Sequence, residues 1–323
     1  MWERRITMQS VELDEFGGPS VLKVRQSEIP HVDAKSLLIK IHMTSVNPLD
    51  CEIRQGYLKQ FTGDFPLRLG MDVAGEVVSV GRQIKHFRVN DRVFAKSIYL
   101  PGGAYAQYIL LPERVCSHIP ASIDYDKVAG LPHAGLTALQ GLRDYLALRP
   151  GESILINGGA GGVGHIAVQL AKIMGANVSV TGSSEQTEWL TLLGADQVIN
   201  YDEINLSSLS NTYDCIFDVA GRLDWKEAKL LLEKRGRYLT TRFSPQIIAN
   251  NILELLVSGK KVLSIIVRAS RMDLDYLAAL IANQKLRVQI DKIFPLKKIS
   301  QAHTYQSRKK GVGKILIQID HKD

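Results

Sequence analysis

The stretch of sequence that decides the fold is Asn157–Gly164, which reads Asn-Gly-Gly-Ala-Gly-Gly-Val-Gly. An apolar run typical of a buried strand, Ser153–Asn157, leads into it, and an apolar helical pattern, His165–Met174, follows it. A Gly-x-Gly-x-x-Gly turn between strand and helix lets backbone amides approach a pyrophosphate at the positive end of the helix. We therefore predict a dinucleotide-binding turn, the alternative being a glycine turn without a ligand. Its expected contact residues are Gly159, Gly161, Gly162, Val163 and Gly164.

Beyond residue 125 the chain alternates between strand and helix patterns. Strands are predicted at Ser153–Asn157, Asn177–Val180, Gln197–Tyr201, Tyr213–Val219, Arg237–Thr241 and Val262–Val267. Helices are predicted at His165–Met174 and Glu185–Leu193, and from Asp224, where Asp224 and Glu227 have capping-box spacing. This alternation predicts a parallel sheet covered by helices on both faces, which is the doubly wound α/β arrangement. One more helix is predicted at 273–283 and a last strand at Lys314–Ile319.

Residues 8–120 have a different pattern, in which short β segments are separated by Gly, Pro and Asn. These segments are Ser36–Met43, Val73–Val80, Asp91–Ala95 and Tyr105–Leu111. Because helical patterns are scarce here, we predict a compact β-rich unit. At 323 residues the chain exceeds the size that one hydrophobic core usually serves, so two domains are expected.

The charge balance argues against a nucleic-acid partner. The formal net charge is +7, from 40 Lys and Arg against 33 Asp and Glu. The short basic clusters, Lys260-Lys261, Lys297-Lys298 and Arg308–Lys310, contain no interleaved aromatic residues. A solvated positive surface is one interpretation of this charge, and a mild field that attracts an anionic cofactor is the other.

Cysteine content and hydropathy exclude further classes of protein. Cys51, Cys116 and Cys215 are widely spaced and form no Cys-x-x-Cys pair, which disfavours a disulfide framework and a structural zinc lobe. No apolar run reaches the roughly 20 residues of a membrane helix, and no apolar signal region follows Met1. We therefore expect no membrane partner and a cytoplasmic location.

The end of the second strand indicates which dinucleotide binds. An NAD site usually has Asp or Glu at this place, where the carboxylate accepts hydrogen bonds from the ribose 2′-hydroxyl. This chain has Thr181-Gly182-Ser183-Ser184 instead, which leaves room and hydroxyl donors for a 2′-phosphate. The sequence therefore favours NADPH over NADH, although Glu185 is close and Ser183–Leu193 contains no Arg or Lys.

Motifs occur along nearly the whole chain in a fixed order. They are Ser45–Asp50, Gly70–Val77, Asn90–Val93, Gly103–Ala106, Gly135–Ala138, Ala160–Gly164, Leu193–Asp196, Ile199–Tyr201 and Gly313–Leu316. This series resembles the medium-chain dehydrogenase/reductases, and among them the zinc-free quinone oxidoreductases of the zeta-crystallin type. The resemblance implies a chaperonin-10-like, β-rich catalytic domain formed by residues 1–124 and 268–323. A Rossmann domain with a doubly wound parallel sheet would occupy residues 125–267.

The resemblance also bears on metal binding. Zinc-dependent relatives hold their catalytic metal with Cys, His and a further Cys or carboxylate, and those positions correspond here to Asn47, Met71 and His133. A catalytic zinc needs about three protein ligands, and only His133 qualifies. Cys51 lies four residues from the first position. We therefore expect no metal.

By resemblance, four residues are candidates for the chemical step. Asn47 corresponds to the asparagine that faces nicotinamide and substrate, and its amide would donate to the carbonyl oxygen in place of a metal. Tyr57 lies in a loop where relatives often have a tyrosine that orients substrate. Thr137 corresponds to a threonine near the nicotinamide carboxamide, and His133 is a candidate proton relay. The alternative for each is structural: a turn asparagine, a half-buried tyrosine, a helix hydroxyl and a satisfied histidine.

Other cofactor contacts follow from the same resemblance. Ser183 and Tyr201 would flank the adenosine, and Arg308 would reach the 2′-phosphate. Gly221, Phe243 and Val267 end or follow late strands, at the sheet edge where cofactors bind. Gln186 replaces the family's usual lysine in the helix after Ser183.

Together these features predict an NADPH-dependent enzyme that transfers hydride to a quinone or an α,β-unsaturated carbonyl compound. A non-catalytic NADPH-binding sensor or structural protein of the same fold is the first alternative, and an alcohol dehydrogenase is the second. We also expect a homodimer joined through the edge strand Val262–Val267, whose apolar run would otherwise leave an unpaired edge.

The first testable prediction is that the purified protein contains no stoichiometric zinc, because Asn47 and Met71 stand at two of the ligand positions. Elemental analysis of the protein is the measurement. About one zinc per chain, bound at Asn47, Met71 and His133, would contradict the prediction.

Overall fold

The computed structural model describes residues 7–204, 206, 209, 212–242, 247, 253–308 and 311–321. These residues form two compact units, the first from residues 7–133, 268–308 and 314–321. The second consists of the described residues within 134–267 together with 311–313. The sequence placed the first boundary at residue 125, whereas residues 125–133 belong to the first unit. Tyr125 explains the difference, because its ring stacks on His42 at 4.6 Å and lies under the Arg92 guanidinium at 4.7 Å.

The second unit is built on a six-stranded, wholly parallel sheet. Its strands are β8 (Ser153–Asn157), β9 (Asn177–Gly182), β10 (Gln197–Asn200), β11 (Tyr213–Asp218), β12 (Leu232–Thr240) and β13 (Lys261–Ser264). Their order in the sheet is β10-β9-β8-β11-β12-β13, the arrangement of a dinucleotide-binding Rossmann fold. Ile154, Leu155 and Ile156 of β8 are fully buried in succession, as expected of a strand covered on both faces. The predicted α/β fold class is confirmed.

Helices connect the strands of this sheet. The connecting helices with described bounds are Gly164–Ile173, Thr187–Leu192 and Trp225–Leu230, while the helix Pro132–Gln140 and a π-helical turn at Gly141–Tyr145 precede β8. Two local predictions are wrong. The strand expected at Val262–Val267 ends at Ser264, and Ile266 beyond it is 66% exposed. Asp224 does precede the helix Trp225–Leu230, but its side chain makes no capping hydrogen bond.

The first unit contains the predicted β-rich architecture. Its strands are β1 (Thr7–Glu12), β2 (Lys23–Glu28), β3 (Ser36–Val46), β4 (Asp72–Val80), β5 (Arg92–Lys96), β6 (Tyr108–Pro112), β7 (Cys116–His118), β14 (Ile290–Pro295) and β15 (Lys314–Gln318). Its helices are Pro48–Arg54, Tyr125–Ala129, Arg271–Ala282 and Ile299–Ser307. β1 pairs with β2, and the other strands form a sheet ordered β14-β15-β3-β4-β5-β7, with β6 paired to β3.

The register of this sheet brings the ends of four strands together. Ile315 of β15 lies opposite Val46 of β3, so that Lys314 and Asn47 are adjacent at the ends of the ladder. Asp72, the first residue of β4, lies opposite Lys96 at the end of β5.

Among the described residues, no helix is long and apolar enough to cross a membrane.

Candidate active site

The glycine turn of the second unit is held by side chains at the ends of three strands. The Thr181 hydroxyl at the end of β9 accepts from the Gly158 amide at 2.8 Å and donates to Asn157 Oδ1 at 2.9 Å. The Asn157 amide in turn donates to Asp218 Oδ1 at the end of β11, at 2.8 Å. Because Asn157 ends β8, this chain of hydrogen bonds fixes the turn to the central strands of the sheet.

The glycines of the turn form a cradle that larger residues would fill. A Cβ on Gly159 would lie 1.9 Å from Val180 Cγ2, and one on Gly164 would lie 2.1 Å from the Gly158 oxygen. A Cβ on Gly161 would meet only the Gly158 oxygen, at 3.4 Å, so side-chain packing does not account for glycine there. A dinucleotide pyrophosphate approaching the backbone at the second glycine does account for it. The residues of the turn therefore fit a nicotinamide dinucleotide.

Polar groups surround the end of β9, where the cofactor ribose is expected. The Thr181 side chain is buried and engaged in the turn, which leaves Ser183 as the predicted contact nearest this strand end. The Ser183 amide donates to Gln186 Oε1 at 3.0 Å. Asp202, which was not predicted as a site residue, accepts at Oδ2 from the Ser184 amide at 3.4 Å. The Tyr201 side chain is 54% exposed beside it in the sequence.

The remaining predicted cofactor contacts lie in different places. Gly221 follows β11 with a positive φ of 64°, and Val267 is partly buried beyond β13. Thr137 is buried in the helix Pro132–Gln140. Arg308 lies in the first unit, where it lines a groove of about 590 Å³. Phe243 lies outside the described residues.

The first unit contains a buried polar cluster centred on the Asp72 carboxylate, which is fully buried. Its Oδ1 accepts from the backbone amide of His133 at 2.6 Å. Its Oδ2 accepts from the Asn47 side-chain amide at 3.0 Å and from the Ser45 hydroxyl. The Lys314 ammonium lies 3.5 Å from the same oxygen. Asp72 thus joins residues from three other segments of the chain.

Asn47 lies between the two charges of this cluster and is 1% exposed. Its Oδ1 accepts from Lys314 Nζ at 2.6 Å, while one hydrogen of its Nδ2 goes to Asp72. Its backbone amide donates to Asp50 Oδ2 at 2.8 Å, at the start of the helix Pro48–Arg54. The amide group has two N–H bonds, and these contacts use one of them.

Burial and charge shift the pKa values of this cluster. Burial by itself raises the pKa of Asp72, but the Lys314 ammonium and the hydrogen bonds from Ser45 and Asn47 outweigh it and hold the pKa below its ordinary value. Burial lowers the pKa of Lys314, and the carboxylates of Asp72 and Asp50 oppose that shift. Burial raises the pKa of Asp50 to about 7.

Two other basic residues belong to the same region. Burial lowers the pKa of His133 to about 3, so its imidazole is neutral at pH 7 and would act as a neutral group. Lys96 is buried opposite Asp72, and burial lowers its pKa against the pull of Asp72 and Asp50.

Asp72 therefore links the Asn47 side chain to the backbone amide of His133, and Tyr57 lies outside this cluster. The Tyr57 side chain is 70% exposed and takes part in none of the hydrogen bonds described for the cluster. Asp72, Lys314 and Lys96 were not predicted as site residues. Each is a charged residue at the first or last position of a strand.

The comparisons with known proteins agree with this architecture. Residues 33–121 match the alcohol dehydrogenase GroES-like domain family, and residues 193–317 match the zinc-binding dehydrogenase family. The chloroplastic quinone oxidoreductase QR1 of Triphysaria versicolor is 32% identical over 323 residues, covering 96% of this chain and 98% of that protein. The chain belongs to the quinone oxidoreductase group of the medium-chain dehydrogenase/reductases.

Two further proteins are similar to this chain. The solved quinone oxidoreductase of Coxiella burnetii superposes with a TM-score of 0.87 at 30% identity, covering 98% of this chain and 100% of that chain. The chloroplastic NADPH-dependent alkenal/one oxidoreductase of Arabidopsis thaliana is 37% identical over 237 residues, covering 70% of this chain and 60% of that protein. The protein is thus an oxidoreductase with a nicotinamide cofactor.

The name of the zinc-binding dehydrogenase family, which matches residues 193–317, raises the question of whether this chain binds zinc. Met71 is buried and Asn47 is engaged by Lys314 and Asp72. Within the described ranges, no group of three or more His, Cys, Asp or Glu side chains has the arrangement of a metal site. The absence of zinc stays a prediction.

The glycine turn yields a paired prediction. Gly161→Ala should fold normally, since its Cβ has space, but should weaken NADPH binding by about tenfold or more, equal to about 1.4 kcal/mol. Gly164→Ala should lower the free energy of unfolding by about 1–3 kcal/mol, because its Cβ would overlap the Gly158 oxygen. Thermal unfolding and fluorescence titration with NADPH measure the two effects. If Gly161→Ala binds NADPH as tightly as the unmodified protein, the turn does not hold the pyrophosphate.

Proposed function

We propose that the protein is an NADPH-dependent, zinc-independent oxidoreductase that reduces a quinone or an α,β-unsaturated carbonyl compound. The observation that supports this most is the place of Asn47. A neutral amide stands at the first metal-ligand position of the zinc-dependent relatives, and a buried ammonium lies 2.6 Å from its oxygen. The arrangement offers positive potential and a hydrogen-bond donor to a carbonyl oxygen.

The chemistry of the reaction explains why such a donor is needed. When bound, NADPH supplies a hydride to the β-carbon of an enone and is oxidised to NADP⁺. The electron pair of the C=C bond moves toward the carbonyl oxygen, and a proton then adds at the α-carbon. Asn47 donates its second amide hydrogen to that oxygen as negative charge develops there. In a quinone, both oxygens finally receive protons.

The other predicted residues have secondary parts in this proposal. Thr137 orients the nicotinamide end of the cofactor, and Tyr57 contacts the substrate with its exposed ring. His133 relays a proton as a neutral imidazole. The glycine turn, Ser183, Tyr201, Gly221, Phe243 and Val267 hold the cofactor, with Arg308 at its 2′-phosphate.

Names of relatives support the substrate class and the cofactor. One relative is named a quinone oxidoreductase and another an NADPH-dependent alkenal/one oxidoreductase. The test is incubation of the purified protein with NADPH and a panel of quinones, enones and alkenals. Consumption of NADPH that depends on both protein and substrate is expected. If the protein binds NADPH but oxidises it with no member of the panel, the non-catalytic alternative replaces the proposal.

We further propose a homodimer that pairs the sheets of two second units. β13 is one of the two edge strands of the sheet, and Ile266 beyond it is 66% exposed. Pairing with a second copy would cover this edge.

The preference for NADPH gives a charge-based prediction. Ser183→Asp should weaken NADPH binding by about tenfold, or about 1.4 kcal/mol, because the new carboxylate repels the 2′-phosphate. Asp202→Asn is the matched opposite change, since it removes a carboxylate beside Ser184, and should strengthen NADPH binding. Titrations with NADPH and NADH measure both variants. Equal or tighter NADH binding by the unmodified protein would contradict the preference.

The catalytic assignment of Asn47 gives a second prediction. Asn47→Ala should lower turnover by about 10²–10³-fold, or roughly 3–4 kcal/mol, while the NADPH dissociation constant stays within a few-fold. Asn47→Asp should be at least as damaging, since a carboxylate repels the developing oxyanion.

The control is Asn283→Ala, which removes an exposed amide that donates to Ala279 in the same unit. It should leave turnover unchanged. If Asn47→Ala folds normally and keeps nearly full turnover on every accepted substrate, the assignment is wrong and Asn47 serves only the turn at Pro48.

A further inference from the structure

Lys314 is a lysine that the fold buries at considerable electrostatic cost. It is the first residue of β15, its backbone amide donates to the Gln289 oxygen at 2.8 Å, and its side chain is 4% exposed. Lysine is almost never fully buried unless it is paired. Its charge must therefore be stabilised by the groups around Nζ.

The Lys314 ammonium could either neutralise the Asp72 carboxylate or act on the Asn47 amide, and the distances from Nζ distinguish these two roles. Nζ lies 2.6 Å from Asn47 Oδ1 but 3.5 Å from Asp72 Oδ2. Asp72 Oδ2 already accepts from Asn47 and Ser45. An ammonium that only neutralised the carboxylate would make its shortest contact there. The shortest contact is instead to the amide.

The two charges also fix how the Asn47 amide is oriented. Its oxygen faces the ammonium and its nitrogen faces the Asp72 carboxylate, so a flipped amide would place N–H groups against Lys314. A cation on the amide oxygen draws electron density from nitrogen and makes each N–H a stronger donor. This effect is larger in a buried site than in water, because the local dielectric constant is lower.

Resting on the proposed function, we propose that Lys314 is a positioning residue of the reaction: its ammonium orients and polarises the Asn47 amide that stabilises the substrate oxyanion. Asp72 completes the arrangement, because it holds the opposite end of the same amide. Lys314 thereby provides, through Asn47, the positive potential that a metal provides in zinc-dependent relatives.

The Lys314 side chain can also be displaced without removing its charge, by enlarging a residue that packs against its aliphatic carbons. A Cβ on Gly130 would lie 2.9 Å from both Cβ and Cγ of Lys314. Gly130→Ala would therefore displace the Lys314 side chain while its charge remains. Lys285, which is exposed in the same unit, is the matched control for loss of a lysine charge.

The experiment compares Lys314→Met, Gly130→Ala and the control Lys285→Met with two substrates. One is an electron-poor quinone, which stabilises negative charge by itself, and the other is a simple enone, which does not. Turnover, KM, the NADPH dissociation constant and the melting temperature are measured for each. If Lys314→Met does not fold, the double variant K314M/D72N replaces it, since it leaves no unpaired buried charge in this pair.

The expected result is a substrate-dependent loss of kcat. Lys314→Met, or its double variant, should lose about 10²-fold in kcat with the enone and clearly less with the quinone. The NADPH dissociation constant should stay within a few-fold. Gly130→Ala should change kcat in the same direction by a smaller factor, and Lys285→Met should match the unmodified protein.

Equal losses with both substrates, or unchanged kcat in a folded Lys314 variant, would overturn the inference and leave Lys314 a structural residue. Failure of the proposed function has a different signature. In that case the unmodified protein itself reduces neither substrate, although it binds NADPH.

Discussion

A single buried carboxylate sets the constraint on which the first unit depends. Asp72 has no solvent to stabilise its charge, so the fold must supply donors from every side. It receives them from Ser45, Asn47 and the His133 backbone, with the Lys314 ammonium nearby. Because these groups come from separate segments, ionised Asp72 requires the ends of β3, β4 and β15 to meet in one register.

The second unit holds its glycine turn with two neutral side chains and one carboxylate. Asn157, Thr181 and Asp218 support it by hydrogen bonds among the ends of β8, β9 and β11. In both units, therefore, the hydrogen-bonded polar side chains lie at strand ends, while the apolar strands form the core.

Much of the fold could be predicted from local pattern, and less of the site. The run Ser153–Asn157 and the glycines after it identify a strand and a turn, because both depend on neighbouring residues. The end of β13 at Ser264 was missed, since an apolar run continues beyond the last residue that pairs. Lys314 and Asn47 are 267 residues apart, and only the β3–β15 register makes them neighbours. Periodicity contains no information about such a contact.

Zinc-independent hydride transfer can be tested by following deuterium from the nicotinamide C4 of labelled NADPH into the product of an enone reduction. The protein is treated beforehand with a chelator, and no metal is added. We expect a saturated product with deuterium at the β-carbon, formed in step with NADPH consumption. If the protein binds NADPH but transfers no deuterium, or transfers it only after zinc is restored, it is not a zinc-independent reductase.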